Sequence, residues 1–143
     1  MKLCDVMTKE VKSLNVDDTV EKAVQIMKEN NVGSIPVCRD GKIAGIITDR
    51  DITLRSIAQG ENVSNIKISS IMSSNPITGN LDMDVHDAAK LMAENQIRRL
   101  PVIDNNAVVG ILSLGDLAVE PKFGNEAGDA LSEISENTTF NAS

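Results

Sequence analysis

The chain has 143 residues, of which 41% are hydrophobic and 1% are aromatic, and its formal net charge at pH 7 is −7. An acidic chain without stacking rings is a poor candidate for binding nucleic acid, and no apolar run approaches the roughly 18 residues of a membrane-spanning helix. Cys4 and Cys38 have no metal-ligand spacing and the start of the chain has no secretory signal, so we expect no metal site, no membrane partner and a cytoplasmic location.

An internal repeat organises the chain. Residues 6–53 align with residues 71–118 without a gap, and 13 of the 48 aligned positions are identical. A match of this length indicates a tandem duplication. A unit of about 50 residues buries too little of its own surface to be stable alone, so we expect the two copies to pack on each other about a pseudo-twofold axis.

The first copy predicts the element order β-α-β-β-α. A short β segment near residues 11–14 precedes a helix, for which Asp18 and Glu21 have the spacing of a capping box. One face of that helix is apolar, with Val20, Ala23, Val24 and Met27. Two strands joined by a turn follow, SIPVC and KIAGIIT, and a second helix begins at Thr48.

The second copy repeats this order. A β segment near residues 76–79 precedes a helix with Asp84 and Asp87 at capping-box spacing. Its apolar face holds Val85, Ala88, Ala89, Leu91 and Met92. The strands RLPVI and AVVGILS then lead to a helix that begins at Ser113. The polar stretch 58–69 is typical of a linker between repeats.

Both copies end their last strand with a hydroxyl residue, followed three residues later by an aspartate. These pairs are Thr48 with Asp51 and Ser113 with Asp116. One interpretation is a helix capping box, in which neither pair touches a ligand. The other is a binding site, since a carboxylate at this place can accept hydrogen bonds from a ribose diol. Gly45 and Gly110, which precede the pairs, would then permit the close approach of a ligand.

The two ordered copies of these motifs resemble a cystathionine β-synthase (CBS) domain pair, also called a Bateman module. The likeness rests on Ile35-Pro36 and Leu100-Pro101, on the segments GIITDRD and GILSLGD, and on the openings VMT and IMS. The chain is most similar to stand-alone bacterial CBS-pair proteins, among them the hypoxic response proteins. The resemblance implies an α+β fold of two β-α-β-β-α motifs, with CBS motif 1 in residues 1–60 and CBS motif 2 in residues 61–119. Residues 120–143 remain as an acidic helix with a frayed tail.

The resemblance also implies which residues bind a ligand. The ribose of an adenosine-containing ligand would be bound by Thr48 with Asp51 and by Ser113 with Asp116. The adenine would lie against Val11, Ile35 and Pro36 in one cleft, and against Pro76, Ile77, Leu100 and Pro101 in the other.

Arg98 and Arg99 stand where the first copy has Gly33 and Ser34. They can be read as surface arginines whose stems cover the next strand. The resemblance instead makes them phosphate ligands, which favours AMP, ADP or ATP and predicts two unequal sites. Arg50 and Arg55 are weaker phosphate candidates, because Arg55 lies four residues after Asp51 and can form an ion pair on the helix.

The leading functional hypothesis is a non-enzymatic regulatory module that binds an adenine nucleotide as its regulatory ligand, needs no catalytic cofactor and signals by a conformational change. The alternative is a dimerisation or scaffold protein of the same fold with vestigial ligand sites. An enzyme is disfavoured, since the sequence has no phosphate-binding Gly-Lys-Ser/Thr loop, no Gly-x-Ser-x-Gly and no metal cluster. The resemblance further implies a homodimer and an effector protein supplied in trans.

Overall fold

The computed structural model describes residues 1–119 and 127–134 of the chain. The expected tail after the last helix lies outside these residues, whereas residues 127–134 are helical as predicted. Among the described residues, no helix has the length and apolar character needed to cross a membrane. The predicted α+β fold is confirmed, and each repeat has the predicted order of elements.

Four longer strands and four helices form the two repeats, with three short strands beside them. The first repeat contains β1 (Leu14–Asn15), α1 (Val20–Asn30), β2 (Ser34–Arg39), β3 (Lys42–Thr48) and α2 (Asp49–Arg55). The second begins with β4 (Ser73–Ser74) and β5 (Gly79–Asn80), and continues with α3 (Val85–Asn95), β6 (Arg99–Asp104), β7 (Ala107–Ser113) and α4 (Leu114–Val119).

The described residues form two compact units, which are not contiguous along the chain. The first-repeat unit consists of Lys12–Pro76 with Asn105–Ala107. The second-repeat unit consists of Met1–Val11, Ile77–Asp104 and the described residues from Val108 on. Each repeat's opening segment therefore belongs to the unit built by the other repeat.

The same backbone contacts hold the opening segment in both units. In the first-repeat unit the N–H of Val20 donates to the carbonyl of Ile66, and the N–H of Ile68 donates to the carbonyl of Asp18 (2.9 Å each). The aligned bonds in the second-repeat unit join Val85 to Met1 (2.9 Å) and Leu3 to Met83 (3.0 Å). Residues 58–69 were expected to be a polar linker, but Ile68 is fully buried in the first-repeat core, so this expectation is wrong for the end of the stretch.

The sheets place the ends of the long strands beside the second helix of each repeat. In the first-repeat unit the strand order is β1-β2-β3-β4, with β1 parallel to β2 and the other neighbours antiparallel. The strand β1 pairs only with Val37 and Cys38 of β2, so Pro36 lies beyond it and interrupts no bond to it. The second-repeat unit has the order β5-β6-β7, and a bridge from Thr8 to Ile111 lies where β4 pairs in the first.

A methionine of the opening segment occupies the space left by a glycine in each sheet. A Cβ atom added to Gly45 would lie 2.6 Å from the carbonyl oxygen of Ser73 and 2.9 Å from the sulfur of Met72. A Cβ added to Gly110 would collide with the sulfur of Met7. The close approach that both glycines permit is therefore made by the protein itself, which corrects the expectation that a ligand approaches there.

The first helices of the two repeats begin at aligned residues, Val20 and Val85, and each is capped by the residue before it. Thr19 caps α1 by accepting from the N–H of Lys22 (3.3 Å), whereas Asp18 accepts from the N–H of Asn15 (2.8 Å). The expected box of Asp18 and Glu21 is thus wrong, because Asp18 closes the preceding turn. Asp84 does cap α3, through the N–H of His86 (2.8 Å). Val24, expected on the apolar face of α1, is 40% exposed.

Replacing Gly45 by alanine should lower the free energy of unfolding by about 1–3 kcal/mol, because the backbone oxygen of Ser73 cannot move aside as a side chain would. The matched control is Gly128→Ala in the helix of residues 127–134. Its Cβ would meet no atom within 4 Å, and we expect a gain of up to about 1 kcal/mol. Urea unfolding curves of the two variants and the wild type measure both effects. Equal effects of the two substitutions would contradict the close contact at Gly45.

Candidate functional site

The hydroxyl and aspartate of each motif form a reciprocal pair at the start of a short helix. Thr48 Oγ1 accepts from the N–H of Asp51, and Asp51 Oδ2 accepts from the N–H of Thr48, both at 3.0 Å. Ser113 and Asp116 make the same two bonds at 3.1 Å. Both pairs are therefore helix capping boxes. Each box uses only Oδ2 of its carboxylate, and Oδ1 takes no part in it. The same aspartate can therefore cap its helix and also accept a hydrogen bond from a ligand.

The remaining oxygen of Asp51 faces an arginine on the same helix. Arg55 Nε lies 3.9 Å from Asp51 Oδ1, which is the ion pair expected from the spacing, and Arg55 Nη1 also donates to the carbonyl of Ile71 (3.2 Å). Asp51 is only 9% exposed to solvent. Arg55 thus connects α2 to the opening segment of the other repeat, and its predicted role as a phosphate ligand competes with these two contacts.

Asp116 has a different cationic neighbour. The position aligned with Arg55 is Glu120, which lies outside the described residues. The charge beside Asp116 comes instead from Arg99, at the start of β6. Burial lowers the pKa of the Arg99 guanidinium from its ordinary value, and the nearby Asp116 carboxylate offsets part of this effect. The second repeat therefore holds a half-buried arginine beside the carboxylate of its capping box.

Backbone pairing explains why these side chains meet. The N–H of Leu114, the residue after Ser113, donates to the carbonyl of Arg98 (3.0 Å). The aligned bond in the first repeat joins Asp49 to the carbonyl of Gly33 (2.9 Å), where the register of β2 and β3 also places Ser34 opposite Thr48. The start of the long strand thus lies beside the start of the second helix in both repeats. In the second repeat this brings Arg98 and Arg99 to Ser113 and Asp116.

The corresponding place in the first repeat carries the opposite charge. A Cβ at Gly33 would lie 3.0 Å from Oδ2 of Asp49, so the Asp49 carboxylate covers the glycine that aligns with Arg98. Its other oxygen, Oδ1, accepts from the N–H of Arg50 (2.8 Å). Sequence reasoning missed Asp49. The repeat alignment contains a signal for it. Gly33 aligns with Arg98 and Asp49 aligns with Leu114, so the charge at this place changes sign and changes position between the repeats.

Arg50 lies apart from the capping box of its own repeat. Its side chain is exposed and lines an open groove on α2 together with Asp49, Thr53 and Leu54. Neither Thr48 nor Asp51 lines that groove. The predicted role of Arg50 in phosphate binding remains a prediction.

The predicted adenine-contacting residues differ in exposure and in the unit to which they belong. Ile35 (1% exposed) and Leu100 (0%) are core residues, so a ligand would meet their backbone and not their side chains. The first-repeat unit holds Ile35, Pro36 and Pro76, and the second-repeat unit holds Val11, Ile77, Leu100 and Pro101. Their role in adenine binding stays a prediction.

Other chemistry-bearing groups offer little to a reaction. Among the described residues, no group of three or more His, Cys, Asp or Glu side chains is placed to hold a metal ion. Cys38 lies in β2, where burial raises the pKa of its thiol and a hydrogen bond with the Ser13 side chain offsets part of the rise. A neutral thiol is a poor nucleophile.

Comparison with known proteins finds one matching family model and several similar proteins. A family model described as "CBS domain" matches residues 3–57 and 68–121. The CBS domain-containing protein YhcV of Bacillus subtilis is 46% identical over 131 residues, covering 92% of this chain and 93% of that protein. The solved structure of Hypoxic Response Protein I with two coordinated zinc ions has a TM-score of 0.77 at 27% identity, covering 84% of this chain and 98% of that one. A CBS domain protein from Pyrobaculum aerophilum, complexed with AMP, has a TM-score of 0.77 at 26% identity, covering 90% of this chain and 98% of that one.

Replacing Thr48 by alanine should lower the free energy of unfolding by about 0.5–2 kcal/mol, because the N–H of Asp51 loses its acceptor. Thr53→Ala on the same helix is the control. Thr53 Oγ1 only donates to the carbonyl of Asp49 on an exposed surface, so we expect a change within about 0.5 kcal/mol. Denaturant unfolding measures both variants. A Thr48 variant as stable as the Thr53 variant would contradict the capping box.

Proposed function

The chain belongs to the CBS domain family, and on that premise we propose that it is a regulatory module whose second repeat binds a phosphorylated adenosine such as AMP, ADP or ATP. The observation that carries the proposal is the half-buried Arg99 beside Asp116, with Arg98 one residue away. The AMP complex of the relative from Pyrobaculum aerophilum supports the ligand class. The module is proposed to act without catalysis, on an effector supplied in trans.

The ribose and the phosphate would use different groups of the second repeat. The capping box engages the Asp116 carboxylate through Oδ2 alone, so Oδ1 can accept from the two hydroxyls of a ribose. A guanidinium binds phosphate oxygens through two parallel hydrogen bonds. A phosphate with two negative charges also compensates the half-buried Arg99 better than the Asp116 carboxylate, which carries one charge and also serves the capping box. Arg98 and Arg99 are the proposed phosphate ligands.

The first repeat is proposed to be the weaker site for a phosphorylated ligand. Asp49 places a carboxylate over Gly33, where the second repeat has Arg98. A phosphate at this place would meet the like charge of Asp49, without an arginine at the positions aligned with Arg98 and Arg99. We therefore propose that Thr48 and Asp51 bind a nucleoside without phosphate, or remain empty, when the second repeat is occupied.

Signalling requires that the ligand bind two arrangements of the protein with different affinity. The charge interaction between Asp116 and Arg99 gives a local source of that difference, because a ligand that binds Asp116 through its ribose and Arg99 through its phosphate replaces this interaction. The proposed output is a shift between two arrangements of the second-repeat unit, which an effector reads.

The scaffold alternative has one observation in its favour, which is that both boxes are satisfied by the protein alone. In a scaffold the two aspartates serve only the helix starts. Asparagine keeps an oxygen that can accept the N–H bond of the box but removes the charge. The double variant Asp51→Asn with Asp116→Asn therefore separates the two functions.

Arg98→Ala and Arg99→Ala should each weaken AMP binding about 10- to 100-fold, which is the usual cost of one hydrogen bond to a charged group. Adenosine binding should change much less, because adenosine carries no phosphate. Arg39→Ala is the matched control, since Arg39 is an exposed arginine at the far end of β2. Isothermal titration calorimetry with AMP and adenosine gives all the affinities. Equal losses for both ligands would contradict the phosphate role of the arginines.

The Asp51→Asn/Asp116→Asn variant should lose the rise in melting temperature that AMP causes. Its melting temperature without nucleotide should fall only moderately, because the capping bonds remain while the charges that face Arg55 and Arg99 are lost. For the wild type, AMP at about 100 times its dissociation constant should stabilise the fold by roughly 2.7 kcal/mol. Thermal melts with and without AMP measure this. If the wild type shows no rise with any adenine nucleotide, the scaffold function stands instead.

A further inference from the structure

The turn end of the β2–β3 hairpin lies beside the opening segment of the second repeat, within the first-repeat unit. The N–H of Val16 donates to the carbonyl of Cys38 (3.0 Å) and the N–H of Ser69 donates to the carbonyl of Val16 (3.2 Å), so Val16 joins the hairpin to that segment. An open cleft of about 460 Å³ lies between the two, and we call it the hairpin notch. Its walls include two cations, two hydroxyls and two apolar side chains, namely Arg39, Lys42, Ser69, Ser74, Ala44 and Met72.

A β-bulge shapes the strand that forms one wall of the notch. The register of β2 and β3 shifts between Val37 and Cys38, which leaves Ala44 as an extra residue on β3. In a regular strand, consecutive side chains point to opposite faces, but residues 42–44 all line the notch. Bulges bend a strand and re-aim its side chains, and they recur beside functional sites. The bulge therefore accounts for the way in which one strand supplies both a cation and an apolar floor.

The two cations of the notch lie opposite each other without a counter-charge. Arg39 pairs with Lys42 in the register of the hairpin, and both side chains are exposed. Within residues 1–119 and 127–134, neither side chain forms an ion pair. Asp40, in the turn between them, does not line the notch. Like charges directly opposite each other destabilise a strand pair, so the hairpin keeps a pair that does not help it to fold.

The hairpin of the second repeat lacks both cations. The residues aligned with Arg39 and Lys42 are Asp104, which ends β6, and Ala107, which begins β7. The same hairpin therefore forms with an acidic residue and a small one at these two positions. The duplication thus supplies an internal control, which indicates that the cations serve a purpose other than the turn.

The chemistry of the notch fits an anion with more than one charge. Every polar side chain that lines it can donate hydrogen bonds, and none of them carries a negative charge. An exposed cation gains little from one small ion in salt solution. Several carboxylates on one peptide bind together, because binding of the first raises the effective concentration of the next. The net charge of −7 opposes such a peptide only at long range, and salt screens charges beyond about 10 Å.

We propose that the hairpin notch binds an acidic peptide segment of a partner protein. Arg39 binds one carboxylate through two parallel hydrogen bonds, and Lys42 binds a neighbouring carboxylate. The hydroxyls of Ser69 and Ser74 donate to the peptide from the opposite wall. The notch contains none of the residues proposed to bind the nucleotide, so the two proposals stand or fall separately.

A fluorescein-labelled peptide rich in glutamate is the probe, and the same peptide with glutamine in place of glutamate is its neutral control. Fluorescence anisotropy with the full chain at low ionic strength measures both affinities. The variant Arg39→Asp/Lys42→Ala installs the two residues that the second repeat has at these positions. We expect it to bind the glutamate peptide at least about tenfold more weakly than the wild type, because two charged contacts are lost.

The matched control is Lys28→Ala/Arg50→Glu, which changes the net charge by the same amount at two exposed cations of α1 and α2. It should change the peptide affinity less than about twofold, since neither residue lines the notch. In nuclear magnetic resonance spectra the peptide should shift the amide signals of Lys42, Ser69 and Ser74. Circular dichroism melts should find the notch variant no less stable than the wild type, because a repulsive pair is removed.

Three outcomes would overturn the proposal. The first is a wild-type chain that binds the glutamate peptide no more tightly than the glutamine peptide at concentrations up to about 1 mM. The second is an equal loss of affinity in the notch variant and in its control, since the overall charge would then explain the binding. The third is displacement of the peptide by inorganic phosphate at the peptide's own dissociation constant, because a small anion would then be the occupant. A chain that binds this peptide but no adenine nucleotide would contradict the proposed function alone.

Discussion

The structure depends on the exchange of opening segments between the two repeats. Leu3 is sequentially part of the first repeat but is fully buried in the core of the second, and Ile68 has the reverse placement. Burying one such side chain contributes about 1.5–3 kcal/mol, and each segment also supplies backbone acceptors to a helix start. Neither repeat has a complete core from its own residues. Each unit is therefore complete only with a segment of the other repeat. The glycines at positions 45 and 110 are needed because a methionine of the exchanged segment occupies their side-chain space.

The candidate site follows from the same architecture. The exchanged segment pairs with the last long strand, that strand ends at Thr48 or Ser113, and the capping box starts the helix that holds the aspartate. The box fixes one carboxylate oxygen and leaves the other for a further partner. In the first repeat that partner is Arg55, which also bonds to the exchanged segment, whereas in the second repeat the cation near the carboxylate is Arg99. One duplicated motif has thus acquired two electrostatic environments, and this difference is the physical basis of the proposed preference of the second repeat for a phosphorylated ligand.

Much of the fold could be predicted from the sequence, because hydrophobic periodicity and the hydroxyl-x-x-aspartate motif are local signals. The start of α2 at Thr48 is an example. Thr19 was missed as the cap of α1 because two neighbouring residues can both cap, and Asp18 is used by the turn before the helix. The exchange of segments could not be predicted, since a gapless repeat aligns Leu3 with Ile68 whichever core each one enters. Asp49 was missed because its carboxylate matters only once folding has placed it over Gly33.

A crystal structure of the chain with AMP shows whether the second repeat binds the phosphate of an adenine nucleotide. We expect density for the phosphate within hydrogen-bond distance of Arg98 or Arg99, with the ribose hydroxyls on Asp116. At the first repeat we expect no phosphate beside Asp49. A phosphate bound beside Asp49 while Arg98 and Arg99 contact no ligand would contradict phosphate binding by the second repeat.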